Sequence, residues 1–130
     1  MYLMLKPFGT HLIIDANDCR GAIDDRGNIQ NFINELVKKL GMKKKGQTIF
    51  EYFEDNDYNR EHDIVGYSVC QIISLSSIVM HINDISRTVY LDVFSCSEVD
   101  ETMVGLIFSD YFKPSKMKKQ IIIRDAKSLN

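Results

Sequence analysis

VGYSVCQIISLSSIVMHINDISRTVYLDVFSC, residues 65–96, is the stretch that decides the fold. Val65–Ile73 and Ile78–Ile82 are rich in β-branched residues, and the serine cluster Ser74–Ser77 breaks them apart, as a turn separates two strands. In Thr88–Cys96, Val89, Leu91 and Val93 alternate with Tyr90, Asp92, Phe94 and Cys96, giving a third strand with one apolar face and one chemically mixed face. Upstream, Phe8–Ile14 reads as a strand containing His11 and running into a polar turn at Asp15–Asp18. Ile29, Phe32, Ile33, Leu36, Val37 and Leu40 follow helical spacing, with Asn28 in the N-cap role and Gly41 just past the end. Thr48–Phe53 reads as a short strand, and Glu54–Asp63 as a flexible polar loop of the kind that borders ligand sites. Downstream, Ser97-x-x-Asp100 resembles a capping box, and Met103, Leu106, Ile107 and Tyr111 keep helical spacing until Pro114. Lys118–Arg124 makes the final strand. Strands gathered between two amphipathic helices imply an α+β, two-layer sandwich with an antiparallel or mixed sheet and the two main helices on one face.

The composition sets bounds on function. A chain of 130 residues, 45% hydrophobic and 26% charged, has the size of one domain, residues 1–130. Sixteen basic against eighteen acidic residues leave a formal charge of -2, so no global attraction to nucleic acid or to an anionic membrane is expected. The apolar runs fall short of the roughly 20 residues of a membrane helix. Met1–Leu5 is stopped by Lys6 and Pro7, too early for a secretory leader, which makes the cytoplasm the expected location. Cys19, Cys70 and Cys96 are odd in number and lack a CxxC spacing, so they are read as free thiols, with no metal site. The lysine run Lys43–Lys45 is read as a solvated turn.

No HxxxH pair, phosphate-binding glycine loop or dinucleotide fingerprint is present. What remains between Ser68 and Cys96 is a set of small nucleophiles and titratable groups, of which Ser76, His81 and Cys96 are the candidates. Taken singly, such residues are more often satisfied by ordinary hydrogen bonds than catalytic.

Read together, they resemble the processing segment of the prokaryotic, pyruvoyl-dependent S-adenosylmethionine decarboxylase proenzymes. In that family a Ser-Glu-Ser stretch is followed by histidine five residues after the second serine, and fifteen further on an Asp-(Leu/Val)-(Phe/Tyr)-Thr-Cys run ends in cysteine. Here Ser74-Leu-Ser76, His81 and Tyr90-Leu-Asp-Val-Phe-Ser-Cys96 keep both spacings. Gly66-Tyr-Ser68 is similar to the family's Gly-Val-Ser. Gly9-Thr-His11-Leu, Asp15 and Cys19 are similar to its opening Gly-x-His-Leu, glutamate and cysteine.

The resemblance implies a chain that makes its own cofactor. The Ser76 hydroxyl attacks the preceding carbonyl, the chain parts between Leu75 and Ser76, and a pyruvoyl group remains at the new N-terminus, with Ser68 and His81 assisting. That ketone takes the amine of an amino-acid substrate as a Schiff base and draws in the electrons left when carbon dioxide departs. Cys96 matches the family's proton donor. A homodimer with facing sheets is also implied. The sequence departs from the pattern at Leu75, where the family has glutamate, and at Ile82-Asn-Asp-Ile85, where it has Thr-Trp-Pro-Glu. Asp84 stands near the missing carboxylate, and Phe50 and Phe53 keep the spacing of two family aromatics that form a substrate-stacking wall. Three readings stay open: decarboxylation of S-adenosylmethionine for spermidine synthesis, decarboxylation of arginine or ornithine with acids of the 54–63 loop serving a cationic side chain, and an unprocessed binding or regulatory homologue. Side chains alternate along a strand, so Ser76 and His81 require a break within Ser74–Ser77 if they are to share one pocket with Ser68, Asp92 and Cys96.

Overall fold

The protein is described by a computed structural model covering residues 9–129. Phe8, and the Met1–Leu5 stretch with Lys6 and Pro7, lie outside the described residues. Among the described residues, six strands and three α-helices follow in the order β1 (Gly9–Asn17), α1 (Arg26–Lys39), β2 (Lys45–Phe53), α2 (Asp57–Glu61), β3 (Gly66–Ile73), β4 (Ser76–Asn83), β5 (Thr88–Ser95), α3 (Glu101–Phe112) and β6 (Lys116–Arg124). One sheet, ordered β2-β3-β4-β5-β1-β6, contains all six strands, and every neighbouring pair is antiparallel. Of the two sheet types expected, the antiparallel one is found, because β3, β4 and β5 follow one another through short turns that permit no other direction.

Each strand sends alternate residues to opposite faces. Leu12, Ile14, Val69, Ile73, Ile78, Met80, Val89, Leu91 and Val93 are buried on one face, beneath Ile29, Phe32, Ile33 and Leu36 of α1 and Val104, Phe108 and Phe112 of α3. Phe32 meets Phe108 and Phe112 edge to face at 5.9 and 4.9 Å, which locks the two helices together. The other face carries His11, Ile13, Ser68, Cys70, Ile72, Ser77, Val79, His81, Tyr90, Asp92 and Phe94, all of them half-buried or exposed among the described residues.

Several element boundaries differ from the sequence reading, each for a local reason. β1 continues through Asp15, Ala16 and Asn17, which pair with Lys118, Met117 and Lys116 of β6, so pairing on both sides overrides the polar turn signal. The N-cap of α1 is Asp25, whose carboxylate accepts from Asn28 N at 3.2 Å. Asn28 lies in the first turn, and its amide reaches Ala22 O and Tyr111 O. Glu54–Asp63 holds the short helix α2, capped by Asn56, and is not a plain loop. Asp100, not Ser97, caps α3. The buried stripe of α3 is Val104, Ile107, Phe108 and Phe112, while Leu106 is 68% exposed.

Candidate active site

The break expected within Ser74–Ser77 is a two-residue turn. Ile73 pairs with Ser76, Ser74 takes φ 51°, and Leu75 stands 83% exposed at the tip. The Leu75–Ser76 peptide therefore sits at the end of a hairpin, outside the ladder interior. Ser76 is only 4% exposed; its Oγ accepts from Cys96 N at 3.1 Å and lies 3.8 Å from Cys96 Sγ, to which it donates. Cys96, just past the end of β5, is exposed. A serine hydroxyl, a thiol and a backbone donor thus meet at one end of the sheet.

Ser68 and His81 meet at the other end. They pair directly across β3 and β4, and Ser68 Oγ lies 2.9 Å from His81 Nδ1. A cleft of about 530 Å³ opens beside them, lined among others by Phe53, Asp63, Tyr67, Thr88 and Tyr90. Its rim begins at Gly66, whose φ of +139° suits only glycine and where a Cβ would lie 2.1 Å from Ile82 O.

These two groups do not form one pocket within a chain. β4 is unbroken from Ser76 to Asn83, so five residues at about 3.3 Å each separate Ser76 from His81 by roughly 16 Å. Ser76 also shares the parity of buried Ile78, Met80 and Ile82, while His81 shares that of Ser77 and Val79. The expectation that Ser76, His81, Ser68, Asp92 and Cys96 line one pocket is corrected accordingly: the turn at Ser74–Leu75 precedes Ser76 and leaves its distance from His81 unchanged.

Asp92 lies between the two ends on the open face, where its Oδ1 accepts from His11 Nε2 at 3.0 Å. Phe94 is the next open-face residue along β5. Its ring lies so close to β1 that a Cβ at position 9 would be 2.6 Å away, so a larger residue there would have to displace the ring. The two aromatics kept by spacing part company. Phe53 lines the cleft beside Ser68 and His81, but Phe50 turns to the helix side, 5.8 Å from the Tyr67 ring with the Arg26 guanidinium 4.5 Å above it. Positions three apart in a strand point opposite ways, so the pair forms no common wall. Asp84 is also outside the cleft. It accepts from Tyr52 OH at 3.3 Å, its Oδ1 is buried without a hydrogen-bond partner, and burial raises its carboxyl above the usual carboxylate range. Of the 54–63 acids, Asp63 alone lines this cleft, while Asp55 is paired with Arg60. Cys19 is fully buried, and its thiol is pushed up to about 11.

A second cleft, of about 940 Å³, borders the hairpin end. It is lined by Leu75, Cys96, Gly9 and Phe94, and by Ile123–Leu129, including the short 3-10 turn at Ala126–Ser128. The sequence reading missed this C-terminal wall. The register Gly9↔Arg124 brings it beside Cys96, and no local pattern announces that pairing.

Residues 10–125 match the family model described as S-adenosylmethionine decarboxylase. Among solved structures, the adenosylmethionine decarboxylase from Aquifex aeolicus VF5 shares the fold with a TM-score of 0.73. It is 16% identical in sequence, over 95% of this chain and 97% of that one. No curated protein matches the chain.

Proposed function

The chain belongs to the S-adenosylmethionine decarboxylase family and is a carboxy-lyase of that family; from that premise we propose that it is a self-processing, pyruvoyl-dependent decarboxylase of S-adenosylmethionine. The observation that carries the reading is the Ser76–Cys96 contact directly behind an exposed hairpin tip. The residues fit the cofactor: the serine that would become it follows the cut bond, and a thiol and a backbone donor stand against its hydroxyl.

Processing uses the chain's own atoms. Ser76 Oγ attacks the carbonyl carbon of Leu75, breaking the amide and forming an ester, and the freed nitrogen takes up a proton. A base then removes the α-proton of Ser76, the Leu75 carboxylate leaves, and water releases the nitrogen as ammonia. A pyruvoyl group at residue 76 would supply an electron sink for the loss of carbon dioxide. Cys96 Sγ then gives a proton to the substrate carbon.

The base comes from a second copy in this reading. His81 is the imidazole hydrogen-bonded to Ser68, yet it is roughly 16 Å from Ser76 of its own chain. The open face carries Ile72 at 44%, Tyr90 at 48% and Ile122 at 37% exposure, an apolar surface suited to burial. A homodimer with open faces together and a two-fold axis near the Val79–Asp92 pair lays the Ser76–Cys96 end of one protomer over the partner's Ser68 and the partner's His81. Phe53 and Tyr90 of the first cleft then flank the substrate. Decarboxylation of S-adenosylmethionine makes the aminopropyl donor of spermidine, and a cytoplasmic enzyme with free thiols suits that role. Intact mass under denaturing conditions tests the reading. Two chains, 1–75 and 76–130, are expected, and a single chain of full mass overturns self-processing in favour of the unprocessed homologue.

A further inference from the structure

The cut that the proposed function requires creates a second product besides the new N-terminus: a carboxylate on Leu75. Leu75 lines the 940 Å³ cleft together with Arg124 and Lys127. The Arg124 guanidinium lies 5.5 Å from the centre of the Phe94 ring, and among the described residues no carboxylate is paired with it. The acid that shares this wall, Asp125, has its Oδ1 turned to Ser128 N at 3.2 Å. The Phe94 ring lies against Gly9, where a Cβ would have to displace it, and gives the guanidinium an apolar floor.

The geometry points to Arg124, backed by Phe94 and helped by Lys127, as the binding site for the carboxylate released at Leu75. Before cleavage the hairpin holds Leu75 within the cleft as a neutral, exposed residue. After cleavage the 1–75 chain ends in an anion tethered at the same place, and a guanidinium on an aromatic plate is a good partner for it. Capture there fixes the cut end on the Arg124 side of the cleft. It clears the approach to the new N-terminus and keeps a negative charge from facing an incoming amino-acid carboxylate. It also gives a role to leucine at the position before the cut, since the carboxylate comes from the cleavage itself and no side-chain acid competes for Arg124.

The inference rests on self-processing, and its test separates the two. The native, processed protein is treated with a carboxypeptidase, and the mass of the 1–75 chain is followed. The expected result is that Arg124→Gln loses Leu75 roughly fivefold faster than wild type, with Arg124→Lys between them, at unchanged melting temperature. High salt should remove the wild-type protection and leave Arg124→Gln unaffected. Equal trimming of a cleaved wild type and a cleaved Arg124→Gln overturns the capture site alone, whereas a wild type that never cleaves overturns it together with self-processing. Should Arg124→Gln fail to fold, Lys127→Gln provides the second arm: a smaller acceleration supports the site, and none contradicts it.

Discussion

The two ends of the central strands hold different groups, which the proposed mechanism joins as halves of one chemistry. At the hairpin end Ser76 and Cys96 supply a nucleophile and a thiol, with no imidazole in contact. At the far end Ser68 and His81 supply an imidazole held by a hydroxyl, beside a cleft with Phe53 and Tyr90, but no scissile bond. The difference teaches that the two ends of an unbroken strand stay apart within one chain. In the proposed mechanism, a site that spans the strand's length is completed by a second sheet laid across it.

The largest effect expected is from Ser76→Ala, which removes the hydroxyl attacking Leu75 while leaving the apolar packing in place. Every molecule should remain a single chain by intact mass, with no decarboxylase activity, and cleavage in this variant would show that the hairpin end does not act through Ser76. Cys96→Ala should divide processing from turnover. Two chains still form, but carbon dioxide release falls by about 10²–10⁴-fold, the range for loss of a positioned proton donor. Full turnover would reduce Cys96 to a bystander.

Phe53 and Phe50 sharpen the contrast between the cleft and the helix side. Phe53→Ala should raise KM for the substrate by about tenfold, as loss of one stacking ring does, with little change in melting temperature. Phe50→Ala should lower the melting temperature and leave KM alone, because its ring lies among Tyr67 and Arg26. The reverse pattern would exchange their faces. The smallest effect belongs to Asp84. Its folded carboxyl is raised by burial, so its contribution favours folding below the unfolded carboxylate range and is lost as pH rises through the folded value. Asp84→Asn should therefore raise the melting temperature slightly at pH 7 and do nothing in acid, and a fall at pH 7 would contradict the burial account.

Much of this was legible in the sequence, because two-residue periodicity survives in a sheet with one covered face. Val89, Leu91 and Val93 announced the helix side, and Ser74–Ser77 announced a turn. The residues proposed for processing, Ser76, His81 and Cys96, stood out in the sequence by their spacing alone. Their placement in space did not. The parity that parts Ser76 from His81 could be read from their separation, but spacing along one strand says nothing about which groups meet across strands, so the Ser68–His81 pair and the place of the turn before Ser76 were visible only once register was known. The N-cap at Asp25 was missed because three polar residues stand within reach, and packing of Asn28 against Tyr111 O chose among them. Arg124 carried no local signal, since its place beside Cys96 comes from a pairing between the two termini of the described chain.

The central claim, that the two ends act together across a homodimer, is tested most directly by co-expressing Ser76→Ala and His81→Ala chains bearing distinguishable tags and measuring the intact mass of each. Neither variant is expected to cleave alone. In the mixed dimer one site unites an intact Ser76 from the His81→Ala chain with an intact His81 from the Ser76→Ala chain, so the His81→Ala chain should split into 1–75 and 76–130. If wild type cleaves but the His81→Ala chain stays whole in every mixture, each protomer completes its own site and the shared-site account is wrong.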